Sequence, residues 1–244
     1  MKNQKLDIHP LEQGDRSPLL TALLLAAALT SVHAEPLAIV NGSFEIGADQ
    51  DSSFTPITGW TDAGTSAGFW LQDGITPGSF PQDPSEPQSG SLYLSCNRLA
   101  GNASSQPSGS TLSQVIAIDA INLALVQAGG AEINLDFYYQ DTDNNDSGEV
   151  RITFLDSGSS EISSITTGSL PNVGASGAPY NTITAPWTPK NLTGVVPIDA
   201  ESIRIDIITA PRLTGSATNV HFDTFSARIG AEDSDDDGDR KSVV

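Results

Sequence analysis

The stretch Val40-Asn41-Gly42-Ser43-Phe44-Glu45 lies near the start of the chain, and Asn219-Val220-His221-Phe222-Asp223-Thr224-Phe225 lies near its end. Each stretch places one carboxylate, Glu45 or Asp223, within an apolar sequence of strand type. A lone acid in such a setting is costly to bury unless it meets a cation or several hydrogen-bond donors. We therefore predict that these stretches form the first and last strands of one β-sandwich and that the two acids share a hard cation. The alternative is that both acids cap strand ends in water.

Alternation of apolar and polar residues predicts strands along most of the chain between these two stretches. The only segment with a helical period, residues 120–128, ends in two glycines and is short enough to be a brief helix or a turn. Clusters of Gly, Pro, Asn and Ser separate the alternating runs, which is typical of an all-β sandwich. The alternating runs are residues 92–94, 112–118, 133–139, 150–154, 161–165, 180–187 and 203–207.

Charge and composition exclude some classes of function. With 11 basic and 30 acidic residues, the formal net charge of −19 repels phosphate backbones, so we expect no nucleic-acid partner. The lone cysteine, Cys96, cannot form an intrachain disulfide, and its alternating surroundings predict a small core residue and not a nucleophile.

The sequence divides into three segments. Residues 1–34 combine basic residues, an apolar run from Pro18 to Leu29 and the small-residue sequence Val32-His33-Ala34, which together predict a secretory signal peptide. A retained anchor is the alternative, although the run is shorter than the ~20 residues that span a bilayer. Residues 35–229 are predicted to form the sandwich domain of a secreted or cell-surface protein, and residues 230–244 an acidic, disordered tail.

The tail resembles the first half of a calcium-binding loop. Acidic residues occupy positions one, three, five and seven of the loop pattern, and Gly238 occupies position six, where the chain turns sharply. Position twelve, which requires a bidentate glutamate, is Val244. We therefore expect it to bind cations only weakly, because like charges at this density repel one another. The acids are Asp233, Asp235, Asp237 and Asp239.

Six stretches, taken in order, resemble the galactose-binding-domain-like jelly rolls of bacterial secreted proteins, which include several families of carbohydrate-binding modules. The resemblance covers nearly all of residues 39–229 and implies a jelly-roll β-sandwich of two antiparallel sheets. The stretches are Val40 to Glu45, Ile57-Thr58-Gly59-Trp60, Gln88 to Leu94, Leu112-Ser113-Gln114-Val115, Val195 to Asp206 and Val220 to Ser226.

The resemblance also implies a structural calcium ion. Carried over by position, its ligands are Glu45, the Ser43 carbonyl and Asp223. Calcium takes six to eight oxygens in irregular geometry, so two carboxylates with backbone carbonyls suit it. The sequence departs from the family at Gln88-Ser89-Gly90, where members often carry another acidic or histidine residue.

Sugars are bound by aromatic rings that stack on C–H surfaces and by polar groups that contact hydroxyls. For several candidates a plainer role stays open: Trp70 and Trp187 as half-buried packing residues, the Asp/Asn run as a solvated turn, and Tyr138 and Gln140 as ordinary surface residues. Trp60 is predicted to pack in the core. The candidates for ligand binding are Phe69, Trp70, Tyr138, Gln140, Asp141, Asp143 and Trp187.

No motif in the sequence indicates catalysis. The one histidine clearly within the domain, His221, has no Gly-x-Ser-x-Gly elbow beside it and is predicted to be a strand-surface residue. The sequence therefore predicts a secreted, monomeric, non-catalytic module that binds extracellular carbohydrate and carries structural calcium. The alternatives are an adhesive cell-surface domain of the same fold and a polysaccharide-acting enzyme.

Overall fold

Two antiparallel sheets form the domain in the computed structural model, which describes residues 35–50, 55–62, 70–74, 87–96, 110–141, 147–171, 187–209 and 220–231. The predicted all-β sandwich is confirmed. The first sheet has the order β3-β4-β11-β6-β9, and a short β1 pairs with β11 beside this path. Its strands are β1 (Glu35–Pro36), β3 (Trp70–Gly74), β4 (Leu92–Cys96), β6 (Ala131–Asp141), β9 (Thr188–Val195) and β11 (Val220–Ala231).

The second sheet has the order β2-β5-β10-β7-β8. One helix, α1 (Ala120–Ala128), connects the two sheets between β5 and β6; it begins at Asp119, whose carboxylate accepts the N–H groups of Ile121 and Asn122. Within the described ranges, no helix has the length and hydropathy to cross a membrane. The strands are β2 (Thr61–Asp62), β5 (Thr111–Ala117), β7 (Gly148–Leu155), β8 (Glu161–Thr166) and β10 (Ser202–Thr209).

The core lies between the sheets because alternation sends every second side chain inward. Phe222 on the central strand β11 is fully buried, and its ring centroid lies 5.2 to 6.4 Å from those of four other aromatic rings. Cys96 and Trp60 are buried as predicted. The four rings around Phe222 are Trp70, Phe137, Tyr139 and Phe225.

One predicted strand is wrong, four strands are not predicted by the alternation of the sequence, and most of the predicted strand at residues 180–187 lies outside the described ranges. The stretch Val40 to Glu45 is a turn, not a strand, because Asn41 and Phe44 have φ of 53° and 57°, which an extended strand cannot accommodate. The first strand of the domain is instead β1, which precedes this turn and pairs with β11. The longest of the strands that the alternation does not predict is β9. It contains Pro189 and Gly194 and lies at the edge of its sheet, where proline is tolerated.

Candidate functional site

The turn at residues 40–46 is fixed by polar side chains from distant strands. The Asn41 carboxamide accepts the Ile46 N–H at 2.8 Å, and the Gln114 amide donates to the Val40 carbonyl at 2.9 Å. The buried Gln72 side chain donates to the carbonyls of Phe44 and Ile46. The turn is therefore held rigidly against both sheets.

The two acids of the sequence prediction bind neighbouring parts of one loop. The Glu45 carboxylate accepts the N–H groups of Ser91 at 3.0 Å and Leu92 at 2.8 Å. The Asp223 carboxylate accepts the N–H groups of Gln88 at 3.0 Å and Ser89 at 3.2 Å. Glu45 and Asp223 thus anchor the loop at residues 88–92 from its two ends, and we call these three parts the acidic corner.

Close backbone approach at the acidic corner explains two glycines. A Cβ on Gly42 would lie 2.4 Å from the Phe225 carbonyl oxygen, and one on Gly90 would lie 2.4 Å from a Glu45 carboxylate oxygen. Thr224, which follows Asp223 at a register shift of β11, has φ of 54°, a costly conformation for a β-branched residue. Strain of this kind persists only where surrounding contacts enforce it.

Asp223 is fully buried, and its burial raises the pKa of the carboxyl group to about 6 despite the N–H groups that it accepts. A cation at this position would stabilise the charged form. Each carboxylate has about four acceptor positions, so the N–H bonds leave capacity for a metal ion. However, among the described residues no group of three acidic, histidine or cysteine side chains is placed to hold a metal. A calcium ion here would need carbonyl oxygens or water to complete its shell.

The outer face of the first sheet, turned away from the core, carries a row of partly or fully exposed polar and aromatic groups. On β6, Asn134, Asp136 and Tyr138 alternate with buried residues and point to this face. On the edge strand β9, Pro189 pairs with Tyr138, and Asn191 pairs with Asp136. Trp187, just before β9, continues the row and is partly exposed.

These residues form what we call the polar–aromatic strip, defined by Asn134, Asp136, Tyr138, Trp187, Pro189 and Asn191. The Asn191 amide donates to Asn134 Oδ1 at 2.6 Å and to Asp136 Oδ1 at 2.7 Å, so the polar end of the strip is ordered. Asn134 pairs with Thr193, so the strip extends from the level of residue 187 to that of residue 193 on β9. Six steps along a strand span roughly 20 Å. The strip therefore offers a long, exposed surface with stacking groups at one end and hydrogen-bonding groups at the other.

The part of the same outer face beside Trp187 is buried. Ser95, Gln140 and His221 are cross-strand neighbours on β4, β6 and β11, and each has no exposed surface. The buried Tyr93 on β4 contacts both regions, with its ring 5.8 Å from that of Trp187 and 5.6 Å from that of His221. Tyr93 thus connects the buried residues of this face with Trp187 of the strip.

The prediction that His221 is a surface residue is wrong. Its ring is completely buried, and neither nitrogen has a hydrogen-bond partner among the residues that the structure describes. Loss of hydration lowers its pKa to about 3, so it remains neutral near physiological pH. Alternation alone could not show this burial, because it arises on the face of the sheet that points away from the core.

The structure separates the predicted ligand-binding residues. Trp187 and Tyr138 lie together on the polar–aromatic strip, while Gln140 lies on the same face but is buried. Trp70, which is 2% exposed, packs against Phe222 and so belongs to the core. Asp141 is also buried on the core side, where its carboxylate accepts the Tyr139 hydroxyl at 3.2 Å.

Other predicted residues lie outside the described ranges. These are Phe69 and Asp143, the signal-peptide segment 1–34, and the tail acids Asp233, Asp235, Asp237 and Asp239. In contrast, sequence reasoning missed Asn134, Asp136 and Asn191. The alternation of β6 already placed the first two on the face of Tyr138, but Asn191 lies on the strand that was not predicted.

No known protein-family model and no curated protein matches the sequence. Solved structures resemble the fold. A cyclase from Fischerella sp. TAU has a TM-score of 0.52 at 10% identity, over 82% of this chain and 98% of that chain. The carbohydrate-binding module TmCBM61 in complex with β-1,4-galactotriose has a TM-score of 0.43 at 15% identity, over 79% of this chain and 98% of that chain.

The enzymatically active domain of Bacteriophage CBA120 tailspike protein 4 has a TM-score of 0.49 at 17% identity over 80% of this chain. The present chain spans only 21% of that tailspike chain. The neighbours include carbohydrate-binding modules, as the sequence resemblance implied, and at these identities the likeness concerns the fold alone.

Proposed function

We propose that this protein is a secreted, non-catalytic carbohydrate-binding module and that it binds a glycan along the polar–aromatic strip. The observation that supports the proposal is the alignment of Trp187 and Tyr138 with the ordered cluster of Asn134, Asp136 and Asn191 on one exposed face. A sugar ring presents an apolar face and a rim of hydroxyls, and this strip offers a partner for each. A length of roughly 20 Å allows contact with more than one sugar residue.

Replacing the aromatic groups of the strip is expected to weaken glycan binding without unfolding the protein. For Trp187→Ala and for Tyr138→Ala we expect Kd to rise about tenfold or more, which corresponds to about 1.4 kcal/mol, because buried aromatic contacts dominate such interfaces. A glycan array identifies the ligand, and isothermal titration calorimetry measures Kd for wild type and variants.

The matched control is Ile121→Ala, which removes a side chain that is 62% exposed on helix α1. This variant is expected to bind like the wild type. Wild-type protein that binds no glycan on the array would overturn the proposal and favour the adhesive-domain alternative. Equal affinities of the wild type and both strip variants for an identified glycan would show that the strip is not the site.

We also propose that the acidic corner binds a structural calcium ion through Glu45, the Ser43 carbonyl and Asp223. Two features support this proposal. Both carboxylates meet at one short loop, and the buried Asp223 contacts no cationic side chain within the described part of the chain. An ion there would tie the turn at residues 40–46, the loop at residues 88–92 and strand β11 together.

After removal of metal by EDTA, addition of calcium is expected to raise the melting temperature. At a free calcium concentration 100 times Kd, the gain is about 2.7 kcal/mol in the free energy of unfolding, because the ion binds only the folded state. Differential scanning calorimetry measures it. Asp223→Asn is expected to abolish the response, whereas Glu201→Gln, an exposed acid near β10, is expected to preserve it. A wild-type melt that is identical in EDTA and in calcium would contradict the proposal.

A further inference from the structure

The outer face of the second sheet contains a cleft of about 590 Å³ that the proposed glycan strip does not use. This volume falls within the range of small-ligand sites. Strands β2, β5, β7 and β10 supply its walls, and we call it the arginine cleft. Its polar lining includes Thr61, Ser113, Arg151, Arg204 and Asp206.

One buried carboxylate organises the arginine cleft. Asp206 is 2% exposed and accepts the Ser113 hydroxyl at 2.6 Å. The Arg204 Nε lies 3.1 Å from each oxygen of this carboxylate, and the Arg151 Nε lies 3.5 Å from Oδ2. Two guanidinium groups thus share one carboxylate among the residues that line the cleft.

The terminal nitrogens of both arginines are available to a ligand. Each arginine side chain is more than one-third exposed, with values of 39% for Arg151 and 35% for Arg204. Both approach Asp206 through Nε, so their terminal nitrogens are left for other acceptors. The one hydrogen bond from these nitrogens among described residues runs from Arg204 Nη2 to Thr153 at 3.4 Å. A guanidinium fork matches a carboxylate with two parallel hydrogen bonds.

The two arginines lie close to each other, and the single carboxylate of Asp206 neutralises only one of their two charges. Arg151 and Arg204 are diagonal neighbours on adjacent strands, since Arg151 pairs with Asp206 and Arg204 with Thr153. Like charges at such positions repel each other. Basic residues are also scarce in this chain. The described residues contain only four: Arg151, Lys190, Arg204 and Arg228.

We propose that the arginine cleft binds the carboxylate of a uronic acid unit in an acidic polysaccharide. This inference rests on the proposed carbohydrate function and adds a second contact surface on the opposite sheet. Thr61 and Thr111 also line the cleft, and their hydroxyl groups suit the hydroxyls of a sugar. Val115, which is 59% exposed and pairs with Arg204, offers an apolar contact for a sugar ring.

The net charge of −19 opposes the approach of a polyanion as a whole, but it acts only weakly on a single carboxylate held in the cleft at physiological ionic strength. The Debye length is about 8 Å at 0.15 M salt, so acids elsewhere on the molecule are largely screened from a carboxylate in the cleft. The nearby arginines then determine the local potential. High salt is expected to weaken the interaction, because the contacts are partly exposed.

The test compares oligogalacturonate with its methyl ester, which has the same sugar backbone without the negative charge. By calorimetry, the wild type is expected to bind the free acid about tenfold more tightly than the ester, since hydrogen bonds between charged groups are the strongest of their kind. Arg151→Gln and Arg204→Gln are each expected to reduce this preference towards one. Arg151→Lys retains the charge without the fork and is expected to give an intermediate value.

The comparison of the two ligands on wild-type protein tests the proposal even if an arginine variant fails to fold, and circular dichroism identifies such a variant. Equal binding of acid and ester, or no binding of either, overturns the proposal whether or not neutral glycans bind the strip. A preference for the acid that persists in a folded variant carrying both Arg151→Gln and Arg204→Gln also overturns it. Trp187→Ala separates the two sites, because it should weaken binding of a neutral glycan while the preference for the acid over the ester remains.

Discussion

The Phe222→Ala variant is expected to lose about 4 kcal/mol of unfolding free energy relative to the wild type. Phe222 is fully buried on the central strand of the first sheet, and its ring contacts Trp70, Phe137, Tyr139 and Phe225. Truncation removes the transfer free energy of the ring and leaves a cavity that these rigid neighbours cannot fill. Denaturation by urea, followed by tryptophan fluorescence and circular dichroism, measures the change.

Two further variants calibrate this result. Phe222→Leu retains most of the apolar volume and is expected to cost much less than the alanine variant. Val115→Ala shortens an exposed side chain and is expected to change stability by less than about 0.5 kcal/mol. A loss below about 1 kcal/mol for Phe222→Ala would show that the aromatic cluster does not stabilise the core as described.

His221 is expected to make the folded protein sensitive to acid. Its pKa falls to about 3 in the folded state because burial removes water from the ring, whereas an unfolded histidine titrates near 6.5. Below pH 6.5 the unfolded state therefore binds a proton that the folded state does not. The contribution of His221 to the free energy of unfolding is therefore fully present above pH 6.5 and is lost progressively as the pH falls towards 3.

Between pH 6 and pH 4 this linkage is expected to lower the free energy of unfolding by roughly 2 to 3 kcal/mol. The glutamine in His221→Gln stays neutral in both states and does not contribute this loss. Between pH 6 and pH 4, the free energy of unfolding of the variant should therefore fall less than that of the wild type, by the same amount. Urea denaturation at several pH values gives both curves. The comparison cancels the Asp223 contribution, which has the opposite sign because the folded-state pKa of that acid is raised. Parallel curves for wild type and variant would contradict the assignment of a buried neutral histidine.

Much of the fold is predictable because burial on one face of a strand imposes a period of two on the sequence. The runs around Leu135, Ile152 and Ile205 show this period and form central strands. The edge strand β9 does not show it clearly, since an edge strand buries less surface and tolerates Pro189. The turn at residues 40–46 was also misassigned, because Phe44 is buried in a left-handed conformation that composition does not reveal.

The candidate sites were less predictable than the fold because they depend on which strands become neighbours. The sequence shows Asp136 and Asn191 as unrelated polar residues, and only the pairing of β6 with β9 brings them together. Likewise, Arg151, Arg204 and Ser113 lie on three strands that are distant in sequence. From the sequence, Trp70 and Trp187 are both open to core packing or to ligand binding, yet one lies in the core and the other on the outer face.

Strand β1 lies beside the far end of β11, where Glu35 pairs with Ile229 and Pro36 with Arg228. The start of β1 and the end of β11 therefore adjoin each other in the first sheet. A short linker between them would close the backbone into a ring without disturbing either sheet, and new termini could be opened at the exposed Asp156–Ser160 turn. The same adjacency suits the domain for insertion into a loop of another protein, because the host chain would enter and leave at nearly one point.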